Sequence, residues 1–478
     1  MHFGVHDGDI LTLARGVCER VFVSKYGANA PVKGRPVRPN QRAVVSKLWP
    51  FFRALKKRSF GLTPWSYDKF VETRGRKRRV YEGAQDVLAK RGLRPGDSVV
   101  STFVKAEKIN LTAKPDPDPR VIQPRSAVYN ICVGVYIAPL EHIVYKHIAE
   151  IFGGSPVVFK GMNAMQQGEL IASKWSKFAD PVGIALDLNR MDQHVSYELL
   201  QWEHTVYNLY YHSRKLMRLL KKQLVNKGVA RCFDGILRYV VEGCRMSGDM
   251  NTALGNVLIV CAALYCCLVR EVPAFDLANN GDDCIILVER DDAARVMRCV
   301  PVFMRSLGLP CKMEDPVDVL EHVDFCQTHP VFDGTHWTMV RDPRVCLDKD
   351  SCSLKPLRTE AEWNVLRNTV GMSGLALAGH MPVYREFYEA LRRGAGKRID
   401  ADATPTGFKM LSKGMNMGHV IVSDEARASF FAAFDISPDE QIAVEEHYRK
   451  VRPRWCDPQV PVAVPPEGLT GDIMGSLL

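Results

Sequence analysis

The segment from Ala274 to Val288 constrains this chain more than any other stretch. Two strand-like runs, Ala274 to Ala278 and Cys284-Ile-Ile-Leu-Val288, flank Asn279-Asn-Gly-Asp-Asp283. Asn-Gly between two such runs is a strong hairpin signal, because both residues accept the positive φ of a tight turn. The spacing predicts two strands that fold back on each other. It also sets two carboxylates, Asp282 and Asp283, at or just after the turn. An Asp-Asp pair there is ordinary loop chemistry unless a third carboxylate converges on it.

Asp187 is that third group. Pro181 to Leu188 alternates with period two, with Val182, Ile184 and Leu186 on one face and Gly183, Ala185 and Asp187 on the other. Asp187 ends the strand on the small-residue face, where there is room. A buried carboxylate needs a partner, and a divalent cation suits it. Mg²⁺ prefers carboxylate oxygens and keeps coordination positions open for phosphate. Two ions about 3.5–4 Å apart stabilise the attacking and leaving oxygens of a phosphoryl displacement. Asp187 and Asp282, with Asp283 nearby, therefore form a candidate site for two Mg²⁺ or Mn²⁺ ions.

From Asp192 the period becomes helical, with Val195, Leu199, Trp202, Val206 and Leu209 in one apolar stripe. Asp192 is either an ordinary acidic residue at a helix start or, with Asn256, a hydrogen-bond partner for a ribose 2′-OH. The stretch Gly243 to Asn256 reads as a loop, around Ser247 and Gly248, that leads into a helix. Thr252 and Asn256 lie four apart on one helix face, as helix–helix hydrogen bonds or as a polar strip against a nucleotide. The apolar run Val257 to Val269 continues that helix for 13 residues, short of the roughly 20 that span a bilayer. A core helix is expected, with no intrinsic transmembrane segment.

Charge is separated along the chain. The net charge is +10, from 64 Lys/Arg against 54 Asp/Glu, too modest for a histone-like polycation. Pro31 to Phe60 nevertheless carries nine Lys/Arg and no Asp/Glu, with Trp49, Phe51, Phe52 and Phe60 interleaved. Arg74 to Arg79 forms a second basic cluster. Both read as solvated faces or as surfaces that follow a phosphate backbone with stacking aromatics. Lys105 to Lys108 and Asp118 to Arg125 are a third basic element, in which Arg120 and Arg125 could clamp a triphosphate. The 14 cysteines are irregularly spaced and read as reduced core thiols. His322, Cys326 and His329 lack the further ligands that a structural zinc needs. Ser423 and Ser437-Pro-Asp-Glu440 mark helix starts in a mostly helical end. The Pro-rich tail after Arg452 reads as an extended arm.

Taken in order, these elements resemble viral RNA-dependent RNA polymerases. Asp187-Leu-Asn-Arg-Met-Asp192 looks like motif A, Ser247-Gly with Thr252 and Asn256 like motif B, and Gly281-Asp-Asp283 like motif C. Lys105 to Arg125 is similar to motif F, Cys311-Lys-Met-Glu314 to the end of motif D, and Phe325-Cys-Gln327 to motif E. Phe3-Gly-Val-His6, Gly75-Arg-Lys-Arg78, Pro119 to Arg125 and Asp192-Gln-His-Val-Ser196 resemble stretches of the tombusvirus family. Motif A departs from the family pattern at Leu188 and Met191, where a small residue and Phe are common.

The resemblance implies an α+β right-hand fold. Fingers would take 1–180 and an insertion at 201–242, and the palm 181–200 and 243–330. The thumb and tail would take 331–478. It implies that Asp187 and Asp282 hold metal, with Asp283 in support. Asp192 and Asn256 would recognise ribose, with Ser247 and Thr252 in the same strip. Arg120 and Arg125, helped by Lys105 or Lys108, would bind triphosphate, and Lys312 would protonate pyrophosphate. Implied partners are template and nascent RNA, ribonucleoside triphosphates, a membrane-anchored viral replication protein and host factors. The expected location is membrane-associated replication complexes in host cytoplasm. Family polymerases usually carry an upstream anchoring region, so the chain is expected to be the downstream part of a larger or partnered replicase. Two rivals remain open. A reverse transcriptase shares the carboxylates but excludes the 2′-OH, and a non-catalytic RNA-binding coat or movement protein explains only the basic clusters.

Overall fold

The computed structural model describes residues 3–24, 34–354, 356–400 and 406–456, in a mixed helix and sheet fold. At its centre is a four-stranded antiparallel sheet. The strand order is Lys312–Met313, Pro181–Asp187, Asp283–Glu289, Asp276–Asn279. The two middle strands pair along their full length, from Pro181 opposite Glu289 to Asp187 opposite Asp283. The predicted hairpin is present, with its first strand shifted to Asp276–Asn279.

The alternation in Pro181–Asp187 sorts residues between two cores rather than between core and water. Val182, Ile184 and Leu186 pack with Leu277, Cys284, Ile286 and Val288 on one side. Ala278, Ile285 and Leu287 serve the other side. Gly183 admits Val323 and Trp175, which would stand 3.2 and 3.3 Å from an added Cβ.

Helix Thr252–Glu271 lies in the first core, with Val257, Leu258, Ile259, Val260 and Leu264 fully buried. Each such side chain stabilises the fold by about 1.5–3 kcal/mol. Helix Ala127–Ile151 belongs to the same core. Both helices are long and apolar enough to cross a membrane, yet most of each apolar stretch is buried in the protein (78% and 67%). Cys261, Cys266, Cys267 and Cys284 are buried free thiols, as the irregular spacing suggests.

A second sheet has the order Val121–Ile122, Val100–Val104, Val225–Cys232, Gly235–Glu242. Its central pairing is parallel, between Val100–Thr102 and Gly228–Ala230. Residues 225–242 thus join the sheet begun at 100–122. In the basic segment, helix Gln41–Arg58 buries Val44, Leu48, Phe51 and Leu55, and sets Lys56, Lys57 and Arg58 in its last turn, where the helix dipole favours cations. Phe51 is therefore core, while Trp49 and Phe60 remain half-exposed. Residues 31–33 of that segment lie outside the described residues.

The helix expected from Asp192 is broken. A short turn, Met191–His194, is followed by helix Tyr197–Tyr211. Ser196 explains the break, since its hydroxyl accepts the Leu199 amide at 3.2 Å and caps the second piece. Beyond hairpin Thr328–Phe332/Trp337–Arg341 the chain is helical, from Pro343–Ser351 to Pro438–Lys450. Ser423 caps Asp424–Phe434, and Ser437 with Glu440 forms a capping box. The Pro-rich tail from residue 457 lies outside the described residues.

Candidate active site

The Asp-Asp turn is braced from two sides. Gly281 has φ +100, and the Asn280 N–H donates to the Asp283 carbonyl at 2.9 Å, closing the hairpin over Gly281 and Asp282. Buried Asn279 accepts the Gly281 N–H through Oδ1 and donates to the Gly281 carbonyl through Nδ2, both at 3.0 Å. Lys160 Nζ donates to the Asn280 carbonyl and Oδ1 at 3.0 and 3.1 Å. Lys160 comes from outside every sequence motif and was not legible as part of the site.

The register sets Asp187 directly opposite Asp283 on one side and Lys312 on the other. Asp282 sits at the tip of the turn. Burial, then the charges of Asp282 and Glu314, raise the Asp187 carboxyl above its ordinary value, and Lys312 and Lys114 partly oppose this. Burial and then Asp282 raise the Asp283 carboxyl to about 6. Asp187 and Asp283 lie at the open end of the sheet, so their carboxyls are partly desolvated yet not enclosed as strand position alone suggests. Their mutual repulsion is what a cation relieves. Among the described residues no three His, Cys, Asp or Glu converge tightly enough to hold an ion unaided. The donor set still fits Mg²⁺, which typically takes one or two carboxylates and completes its shell with substrate phosphates and water. His322, Cys326 and His329 form no metal site either: His329 Nδ1 contacts the Glu321 carbonyl, and Cys326 accepts from Asn280 Nδ2 at 3.1 Å.

Beside the carboxylates, Asn256 Nδ2 donates to Asp192 Oδ1 at 2.9 Å. Burial raises the Asp192 carboxyl, opposed by the Asn256 hydrogen bond and the charges of Arg245 and Arg120. The unusual Leu188 and Met191 are both buried in the first core, so the departure alters packing and leaves both motif A carboxylates in place. Arg245 Nε donates to Asn256 Oδ1 at 2.9 Å, and its guanidinium pairs with fully buried Glu203. Neither residue is marked by periodicity. Only a buried arginine needing an acidic partner could have signalled them.

The remaining predicted residues divide. Ser247 accepts the Gln123 N–H at 3.2 Å and donates to the Val121 carbonyl at 3.3 Å. Thr252 donates to the Met246 carbonyl at 3.0 Å. Both hydroxyls thus hold the loop, and Ser247 docks it on residues 121–124. Exposed Arg120 and half-buried Lys105 share Glu107, at 3.2 and 2.7 Å. Lys312 pairs with Glu314 at 2.7 Å and is exposed. Arg125 is placed differently from a triphosphate clamp. Its side chain is 1% exposed and pairs with Asp249 at 2.5 Å. It also donates to the Ser98 carbonyl at 2.6 Å and to Asn226. Every face of the guanidinium is occupied inside the protein. Lys108 likewise turns away, donating to the Lys349 carbonyl at 2.6 Å and tying the loop after strand Val100–Val104 to helix Pro343–Ser351.

Comparison with known proteins gives the lineage of the chain that carries this sheet-end cluster of aspartates and the Asp–Asn pair beside it. The chain belongs to the viral RNA-dependent RNA polymerase family, whose model matches residues 1–455. It is similar to the RNA-directed RNA polymerase of tobacco necrosis virus (strain A), 41% identical over 451 residues, covering 93% of this chain and 62% of that protein. The turnip crinkle virus enzyme is 41% identical over 456 residues, covering 94% and 58%. That of melon necrotic spot virus is 39% identical over 468 residues, covering 95% and 58%. The tombusvirus resemblance is thereby established. The chain spans about three fifths of the length of these relatives.

Proposed function

We propose that this chain is the catalytic part of a replicase that copies a plus-strand viral RNA genome. An RNA 3′-OH attacks the α-phosphate of a template-selected ribonucleoside triphosphate, and pyrophosphate leaves. The observation that carries this reading is the Asp187–Asp283 register, with Asp282 at the turn and the Asp192–Asn256 hydrogen bond beside it. In hand terms, fingers take 1–180 and 201–242, palm 181–200 and 243–330, and thumb 331–478.

Asp187 and Asp282 hold two Mg²⁺ or Mn²⁺ ions, with Asp283 in support. When bound, the ions supply Lewis-acid charge stabilisation for the attacking and leaving oxygens. Asp192 and Asn256 recognise the ribose, which separates this reading from reverse transcription. Arg120 and Lys105 meet the triphosphate from the fingers edge. Lys312, exposed on the strand beside Asp187, delivers a proton to the pyrophosphate. The basic helix Gln41–Arg58 contacts template or nascent RNA. Membrane attachment is supplied by a partner or a region outside this chain, in replication complexes of the host cytoplasm.

The test is Asp282→Ala in a purified-protein assay on a defined RNA template, with Mg²⁺ or Mn²⁺. Synthesis is expected to disappear while RNA binding persists. Wild-type levels of synthesis in the variant would refute the metal assignment.

A further inference from the structure

We infer that Arg245, anchored by Glu203, is a positioning residue that fixes the amide of Asn256 and thereby sets discrimination between ribose and deoxyribose. This rests on the proposed ribose role of Asp192 and Asn256.

An asparagine amide has one acceptor end and one donor end, and little else decides which way it points. Here both ends are specified. Arg245 Nε, a donor only, meets Asn256 Oδ1 at 2.9 Å. Asp192 Oδ1, an acceptor when ionised, meets Asn256 Nδ2 at 2.9 Å. Turning the amide over would set NH₂ against guanidinium and oxygen against carboxylate, so both contacts would become repulsive. The lock leaves the second oxygen of Asp192 and the second Nδ2 hydrogen for a sugar hydroxyl.

Arg245 is itself held rigidly. Its side chain is 1% exposed, and its Nη1 donates to Glu203 Oε1 at 3.0 Å while Nη2 donates to Oε2. Glu203 also accepts from Tyr207 OH at 2.6 Å and Asn251 Nδ2 at 2.8 Å. Four hydrogen bonds therefore converge on one carboxylate, with all of its partners buried. Gly255 makes the space. A Cβ added there would lie 2.5 Å from Arg245 Nη2 and 2.6 Å from Glu203 Oε1. The glycine that precedes Asn256 in a core helix, where alanine is the better helix former, is explained by the ion pair it accommodates.

The experiment measures kcat/KM for a ribonucleotide and its 2′-deoxy counterpart on one RNA template with the purified full chain. The proteins are wild type, Arg245→Lys, Gly255→Ala and Asp192→Ala. Lysine keeps the charge but cannot grip Glu203 with two donors and still reach Asn256. Gly255→Ala keeps every polar group and only displaces the pair. Arg245→Lys and Gly255→Ala are each expected to lower the ribose/deoxyribose ratio by about tenfold, the scale of one charge-assisted hydrogen bond. Equal slowing of both nucleotides, with an unchanged ratio, would mean that the pair is merely structural and would overturn the inference. If Arg245→Lys does not fold, Gly255→Ala decides by the same criterion. Asp192→Ala separates the two levels: if it leaves the ratio unchanged, the ribose reading itself fails, and if it alone lowers the ratio, only the role of Arg245 fails.

Discussion

Replacing Asp283 by Asn should stabilise the metal-free protein at neutral pH and make it less responsive to Mg²⁺. The Asp283 carboxyl is raised to about 6 by burial and by Asp282, against an ordinary 3.8. In an enclosed site that difference is worth about 3 kcal/mol. Asp283 is only partly desolvated, since the end of the sheet is open to solvent, and screening reduces this to about 1–1.5 kcal/mol. Because the carboxyl is raised on folding, the folded protein holds its proton more tightly than the unfolded chain. The charged form therefore weakens the fold in full above pH 6. The penalty falls by about half by pH 5 and is gone below about 3.8. Asn cannot ionise, so Asp283→Asn should melt about 1–2 °C above wild type at pH 7.5 in chelator. That advantage should shrink at pH 5. Mg²⁺ at about ten times its dissociation constant should add about 1.4 kcal/mol to wild type and less to the variant. Thermal melts of both proteins at two pH values, with and without Mg²⁺, make the comparison independent of catalysis. A variant advantage that does not change with pH, or equal Mg²⁺ stabilisation of both proteins, would refute the picture of mutually repelling carboxylates awaiting a cation.

Arg125→Ala should cost about 3–5 kcal/mol, because it leaves Asp249 and Asn226 buried without their partner; a melting temperature near wild type would contradict the interior placement. Arg120→Ala should leave the melt unchanged and raise the KM for nucleotide, since its side chain is 58% exposed; steady-state kinetics reads this directly. Gly248→Ala would place a Cβ 2.4 Å from Pro124 Cα and should lower synthesis at least tenfold by lifting the Ser247 loop from residues 121–124, and unaltered rates would show that this docking is dispensable. Lys108→Met removes the hydrogen bond to the Lys349 carbonyl and should increase proteolytic cleavage near residues 343–351, detected by mass spectrometry of the fragments.

The local chemistry of the site was written in the chain. The Asn-Gly turn specified the hairpin, the period of two specified the strand ending at Asp187, and the Ser437–Glu440 box specified a helix start. Each depends on residues a few positions apart, which is the range over which backbone preference acts. Basic residues were harder to assign. Arg120 and Arg125 look equivalent in sequence, but they lie on either side of the two-residue strand Val121–Ile122, and the path of the chain leaves the first at the surface and carries the second into the interior. Arg125 fell into a cavity bounded by Ser98, Asn226 and Asp249, residues up to 124 positions away.

By itself the sequence determined the candidate groups, Asp187, Asp282, Asp283, Asp192 and Asn256, their order, and the strands and helix that present them. The tertiary structure decided what surrounds them. It decided that Asp187 faces Asp283 in register, that Lys160 braces the turn, and that Glu203 and Arg245 stand behind Asn256. It also decided that the two most apolar helices are core. The physical reason is range. Turns, caps and periodicity are local, whereas burial and ion pairing depend on which distant side chains the packed core brings within about 3 Å.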